Sequence, residues 1–231
     1  ASYYSKDNER ALPGYYEVLL KTHRTKVELT ASDRVAFRRY TFPKDVEKHV
    51  MINLKDANGD DRPTDTYLEQ INDTVIRGYR YSTGWSKKQQ IYFSAVFSQP
   101  VHLTLYHDSV QVAGNRLQGL DVKGNVAVAP VVEELGVKVG ISPVSMENAM
   151  DNIGQEIKDW NFENIVAETT GKWNAELSKL QVETTDTVAK RIFYTALYHA
   201  FMQPIMFNDC SGEYRGTDKN IYGDPGFTNY T

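Results

Sequence analysis

VKVGISPVSMENAMDNIGQEI, residues 137–157, changes its periodicity halfway. Val137, Val139 and Ile141 alternate with Lys138 and Gly140, the pattern of a strand with one face buried. Beyond Pro143, Met146, Met150, Ile153 and Ile157 recur at spacings of three and four, which predicts a helix. Ser145 stands immediately before it as an N-cap. A strand here gives way to a helix, and the two halves of the chain differ accordingly.

Upstream, short runs of branched and aromatic residues are punctuated by turns. Strands are expected over 15–20, 26–30, 34–42, 49–54, 74–81, 91–97, 101–106, 126–132 and 137–141. Asn58-Gly59 marks a turn, which the following Asp and Pro extend. About ten such strands predict a sandwich of antiparallel sheets. Downstream, Asn161 caps a second helix carrying Phe162, Ile165, Val166, Trp173, Leu177 and Leu180. A third begins near Thr185 and Asp186. Its Val188, Ile192, Phe193, Ala196, Leu197, Ala200 and Phe201 cover so wide an arc that it should lie buried between neighbours, broken by Pro204. The fold class is α+β: a sandwich over 1–142, a helical linker over 143–182 and the opening of an all-helical domain over 183–231. Three helices do not enclose the third. The chain also opens on ASYYSKDNE and closes on GFTNYT, so it reads as part of something longer.

The chain has 231 residues, 41% of them hydrophobic, and a net charge of −4. No basic patch stands out, which argues against nucleic acid. No run approaches the roughly eighteen apolar residues of a membrane span, and no signal peptide is visible. Cys210 is the single cysteine, so an internal disulfide and a cysteine metal cluster are excluded. The five histidines are scattered, and His102 and His107 do not fit a common zinc spacing. Fifteen tyrosines and three tryptophans suit flat polar ligands such as sugars, and equally ordinary sheet packing. Phosphate cradles and nucleophile elbows are absent.

The loop FNDCSGEYRGTDKNIY, residues 207–222, holds Asp209, Glu213, Arg215 and Asp218. Such a cluster can be a solvated turn. It can also be a sugar clamp, because a carboxylate beside a guanidinium holds a vicinal diol in one orientation. Trp85, in STGW between two expected strands, is either an indole capping the sandwich or an aromatic platform. Trp160, Trp173 and His199 read as packing residues.

Three stretches carry a resemblance: ERALPGYYEVLL with VELTASDRVAFRRYTFP, then VKVGISPVSMENAMDNIGQEIKDWNFENI, then IFYTALYHAFMQP with FNDCSGEYRGTD. Together they resemble the exo-α-mannosidases of glycoside hydrolase family 92, almost end to end and in order. The chain departs from that pattern at Lys6, where the family carries a histidine. The resemblance implies a galactose-mutarotase-like sandwich followed by an α/α barrel of six hairpins. It implies calcium-dependent hydrolysis of terminal α-mannosides with inversion, in which an acid and a base stand roughly 6.5–9.5 Å apart. Calcium wants oxygen ligands. The family's acid, base and most calcium ligands lie beyond this chain, so no residue in it is expected to be catalytic or to hold metal, and the chain alone should be inactive. What the resemblance places in this stretch is part of the sugar-binding wall: Asp209 and Cys210 first, then Arg215 and Asp218, which touch sugar or form a buried ion pair, and Trp85. Cys210 can equally be a small space-filler. The implied partners are mannose-containing glycans and the remainder of the barrel, in a periplasmic or secreted setting. Two rivals remain. One is a non-catalytic carbohydrate-binding sandwich. The other is a different enzyme on the same plan, such as a disaccharide phosphorylase.

Overall fold

The computed structural model describes residues 2–44, 46–57, 59–224 and 226–230. After a 3-10 turn at Lys6–Asn8 come β1 (Glu9–Leu12), β2 (Tyr15–Leu20), β3 (Thr25–Ala31), β4 (Val35–Thr41), β5 (Lys48–Asn53), β6 (Arg62–Asn72) and β7 (Val75–Thr83). Then follow β8 (Gln89–Phe97), β9 (Val101–His107), β10 (Val110–Val112), β11 (Arg116–Gly119), β12 (Val122–Val128) and β13 (Glu134–Ser142). Helices α1 (Met146–Glu156), α2 (Phe162–Leu177) and α3 (Thr187–Ala200) come next, and the small strands β14 (Glu213–Arg215) and β15 (Ile221–Gly223) follow them.

The strands form a nine-stranded sheet, β1-β2-β3-β4-β13-β8-β7-β6-β11, facing a four-stranded sheet, β10-β9-β12-β5. Their pairings are antiparallel. Alternation fills the space between them. Val122, Val126 and Val128 of β12 and Val101, Leu103 and Leu105 of β9 meet Leu68, Ile76, Phe97 and Leu135 from the larger sheet.

The outer face of the larger sheet carries a second core. Val35 and Phe37 of β4 pack against Ile153 and Ile157 of α1 and its following turn, and against Phe162 and Ile165 of α2. Gly140 lets α1 come this close: a Cβ there would stand 2.1 Å from the Ala149 carbonyl oxygen. At Gly14, φ of +86° and the neighbouring Thr169 of α2 both demand glycine. The helices start where the sequence predicts. Ser145, Asn161 and Asp186 each cap a helix by accepting from backbone N–H groups.

Three expectations need correction. The loop expected after residue 58 contains β6, an 11-residue strand disguised by Pro63 and by its polar outward residues; an irregularity between Pro63 and Asp65 absorbs the proline. The strand expected over 126–132 is Val122–Val128. Helix α3 stands open, as expected of a wide apolar arc that three helices do not enclose: none of its residues is buried, Val188 and Ile192 are each 65% exposed, and α2 packs on one side. It also ends at Ala200, ahead of the cis Gln203–Pro204 bond rather than at it. Asn58 of the expected Asn58-Gly59 turn lies outside the described residues.

Candidate functional site

Beyond α3 the chain returns to the sandwich, and the loop at 207–213 docks on α1. Asn148, Asn152 and Glu156 are spaced by four and so share one face of that helix. Asn148 Nδ2 donates to Glu213 Oε2 at 2.8 Å. Asn152 Nδ2 donates to Asp209 Oδ1 at 2.8 Å, and Asn152 Oδ1 accepts from the Cys210 N–H at 2.9 Å. The Cys210 thiol reaches Glu156 Oε1 at 3.2 Å. From the end of β13, Ser142 Oγ donates to Asp209 Oδ2 at 2.7 Å. From the β3–β4 turn, Arg34 donates to Glu156 Oε1 at 2.7 Å, and its Nε donates to the Asn208 carbonyl.

The electrostatics follow from burial and partners. Asp209 is 2% exposed. Burial pushes its carboxyl above the ordinary range, against the pull of Ser142, Asn152 and Asn148. Burial also raises Glu156, but bonds from Ser32 and Arg34 outweigh it and hold the carboxyl below the usual range. The Cys210 thiol is pushed up to about 11 by burial and by Glu156, so it is a poor nucleophile.

The second part of the site is a cleft of about 690 Å³ between the β7–β8 turn and the β14–β15 hairpin. Lys88, Gln90, Tyr214, Arg215, Asp218 and Tyr222 are among its walls. Arg215 is clamped by carbonyls: Nε donates to Pro143 at 2.9 Å, and the terminal nitrogens to Val144 and Lys219, both at 3.1 Å. Its guanidinium carbon stands 5.8 Å from the centre of the Tyr92 ring. Asp218 accepts from the Tyr222 hydroxyl at 2.6 Å and from Asn220 Nδ2 at 2.8 Å. The Tyr222 bond, foremost, holds the Asp218 carboxyl down and raises the phenol. A larger groove of about 1170 Å³, between the outer face of β2–β4 and the helices α2 and α3, holds none of the candidate residues.

The structure thus brings Arg215 and Asp218 to one cleft and sets Asp209 and Cys210 apart, in the docked base of the same loop. Of the two alternatives for Arg215 and Asp218, the ion pair is not formed among the described residues; Arg215 bonds carbonyls instead. Trp85 is fully exposed at the β7–β8 turn, which rules out the core-capping reading; its neighbour Ser86 lines the cleft. Trp160 packs on Phe37 with Lys138 Nζ 4.2 Å from its ring centre, and Trp173 packs on Tyr198. The polar stripe of α1 was not foreseen from the sequence. The spacing of 148, 152 and 156 was the available signal, but nothing in it names a partner some sixty residues away.

Hydroxyl-rich ligands suit such a cleft, which offers phenols, a guanidinium and a carboxylate that donate and accept. Among the described residues, no group of three or more His, Cys, Asp or Glu side chains is placed to hold a metal ion. No helix is long and apolar enough to cross a membrane.

Comparison with known proteins agrees across the whole chain. Residues 1–142 match the glycosyl hydrolase family 92 N-terminal domain and residues 148–231 that family's catalytic domain. The chain is 32% identical to the family GH92 alpha-mannosidase BT3965 from Bacteroides thetaiotaomicron, with a TM-score of 0.93 over 100% of this chain and 32% of that one. A structure of the same mannosidase in complex with mannoimidazole also matches, at 32% identity and a TM-score of 0.93, over 100% of this chain and 31% of that one. The GH92 family glycosyl hydrolase ccman5 is 26% identical, with a TM-score of 0.91 over 100% of this chain and 33% of that one. No curated protein matches. The chain spans about a third of the length of these solved relatives.

Proposed function

This chain belongs to glycosyl hydrolase family 92, and from that premise we propose that it forms the sandwich and first helices of a calcium-dependent, inverting exo-α-mannosidase acting on terminal mannose of glycans. One observation carries the reading. The β7–β8 turn of the sandwich and the hairpin beyond α3 face each other across a cleft lined by Arg215, Asp218, Tyr214 and Tyr222. A cleft so placed supports the reading of a pocket that two domains share.

In this reading Arg215 and Asp218 contact sugar from the cleft, and Trp85 from the turn at its edge. Trp85 offers an unobstructed ring face to the C–H side of a hexose. Asp209 and Cys210 form the base of the wall. Asp209, 2% exposed with its oxygens bonded to Ser142 and Asn152, supports that base from behind rather than facing a ligand. The acid, the base and most of the calcium ligands belong to sequence outside this chain, whose own residues bind and orient the sugar. A periplasmic or secreted setting fits glycan substrates.

The test uses the natural protein that carries this sequence, with an aryl α-mannoside as substrate. Turnover that releases β-mannose first, seen by NMR, and stops on chelation supports the proposal. Retention of configuration refutes inversion, and turnover unaffected by chelators refutes the calcium requirement. Glycan binding without turnover favours the non-catalytic module. Robust turnover by the 231-residue chain alone contradicts the placement of acid and base elsewhere.

A further inference from the structure

The cleft between the β7–β8 turn and the β14–β15 hairpin carries more positive charge than a neutral sugar calls for. Lys88, Arg215 and Lys219 line it, and Asp218 is its one carboxylate among the described residues. Asp218 is already met by neutral donors: the Tyr222 hydroxyl at 2.6 Å, Asn220 Nδ2 at 2.8 Å and the Asn220 N–H at 3.1 Å. Among the described residues, none of the three cations has a carboxylate partner. Arg215 directs its nitrogens to the carbonyls of Pro143, Val144 and Lys219. Lys219 Nζ donates to the Lys88 carbonyl at 2.9 Å. Lys88 is exposed, and no described residue bonds its ammonium group.

These charges are held in place. At Lys219 φ is +75°, in the left-handed region that a residue with a side chain seldom adopts. Its ammonium reaches from the hairpin to the opposite wall, while Arg215 Nη1 holds its carbonyl at 3.1 Å. Three cations against one carboxylate leave an excess of two positive charges, in a chain whose net charge is −4. Like charges gathered in a concave site repel one another, and their summed field draws an anion in.

We propose that this cleft takes an anionic hexose: a mannose, or a mannose-bearing glycan, that carries a phosphate or sulfate ester. This rests on the mannosidase reading above and narrows its substrate. Asp218 and Tyr222 serve the sugar's hydroxyls, and Lys88 and Lys219 meet the ester oxygens. Lys88 is the specificity-determining residue, because its three donors have no other partner in the fold. Arg215, tied to carbonyls on three sides, adds its field.

The natural protein that carries this sequence is titrated by calorimetry with mannose, mannose 6-sulfate, inorganic phosphate, and the 1- and 6-phosphates of mannose, which put the anion at either end of the ring. Hydrolysis of an aryl α-mannoside is followed in parallel. Ionic strengths of about 0.01 M and about 1 M bracket the effect, since the screening length falls from about 30 Å to about 3 Å between them. At least one ester should bind about tenfold more tightly than mannose at the lower value and lose most of that advantage at the higher. The ranking of phosphate and sulfate esters says which anion the cleft takes. Lys88→Gln should lower the ratio of ester to mannose affinity about threefold to fivefold. Lys219→Gln should lower it similarly, and Lys219→Arg should keep it. No ester binding more tightly than mannose, an advantage indifferent to salt, or a ratio untouched by Lys88→Gln overturns the proposal. So does inorganic phosphate that binds as tightly as the esters, which marks an adventitious ion only. A protein that neither binds mannose nor cleaves the aryl α-mannoside removes the mannosidase reading and this inference with it. One that cleaves the mannoside but favours no ester loses this inference alone.

Discussion

Replacing Arg34 by methionine removes the guanidinium that joins the β3–β4 turn to α1 and to the docked loop. The strongest bonds lost are those to Glu156 Oε1 and to the Asn208 carbonyl; weaker ones to the Cys210 and Met206 sulfurs go with them. The Glu156 carboxylate keeps Ser32 Oγ at 2.6 Å and the Arg34 backbone N–H at 2.8 Å. A hydrogen bond to a charged group contributes about 1.5–3 kcal/mol, so two give roughly 3–6 kcal/mol before discount. The pair is close to buried, with side chains 15% and 12% exposed, and removing one partner of such a pair costs about 3–5 kcal/mol. The remaining bonds to Glu156 and some water access place the expected loss near the lower end, about 3 kcal/mol. In a chain of this size that is a fall of roughly 6–12 °C in Tm, read by circular dichroism with urea unfolding in parallel. The pH dependence has a definite sign. The folded Glu156 carboxyl is held below its ordinary value, so its contribution is present above the unfolded pKa and disappears as pH falls through the folded one. The difference between Arg34→Met and the parent should be full at pH 7 and shrink in acid. Adding Glu156→Gln should recover part of the loss, because no uncompensated charge remains. A loss under about 1 kcal/mol, or a difference that persists unchanged into acid, refutes the reasoning.

Gly140→Ala should cost at least about 3 kcal/mol, since a Cβ 2.1 Å from the Ala149 carbonyl oxygen must push α1 off the sheet; urea unfolding measures it. Arg39→Ala should cost about 3 kcal/mol at pH 7 by leaving Glu28, whose side chain is 6% exposed, with its charge less well met. Burial raises Glu28, but bonds from Arg39, Tyr15 and Lys26 bring it down to about 2. The stability it supplies is therefore complete above the usual carboxylate range and lost as pH falls toward 2, and Arg39→Ala should flatten that part of a stability–pH curve. Lys138→Met should stay within about 1.5 kcal/mol of the parent at pH 7, because a thioether chain of similar length replaces a buried ammonium. Burial lowers the folded Lys138 pKa. The parent should gain stability as pH rises from that lowered value toward 10.5, and the variant should lack this rise in denaturant titrations at alkaline pH.

Much of the fold was legible because short-range rules governed it. Val137, Val139 and Ile141 alternate as a half-buried strand must, and Ser145, Asn161 and Asp186 are caps whose chemistry acts over two or three residues. The strand β6 was missed because Pro63 and its outward polar residues imitate a loop, and only pairing with β7 and β11 makes it a strand. The width of the apolar arc on α3 was legible, but its exposure depends on what packs against it, which no local pattern encodes. In the candidate site, the polar loop was visible as a cluster of charge. Its division into a docked base around Asp209 and an open cleft around Arg215 and Asp218 was not. That division is set by Asn148, Asn152 and Glu156, which alone look like the solvated side of an amphipathic helix.

The kcat/KM of the natural protein on an aryl α-mannoside, compared with that of Trp85→Ala, tests the proposed sugar wall most directly. Trp85 is fully exposed, so its removal should leave stability within about 0.5 kcal/mol. The expected result is hydrolysis by the unsubstituted protein and, from loss of a ring platform, roughly a tenfold or greater fall in the variant with its Tm unchanged. An unsubstituted protein that cleaves no α-mannoside, or a variant that cleaves it equally well, contradicts the claim that this surface is one wall of a mannose site.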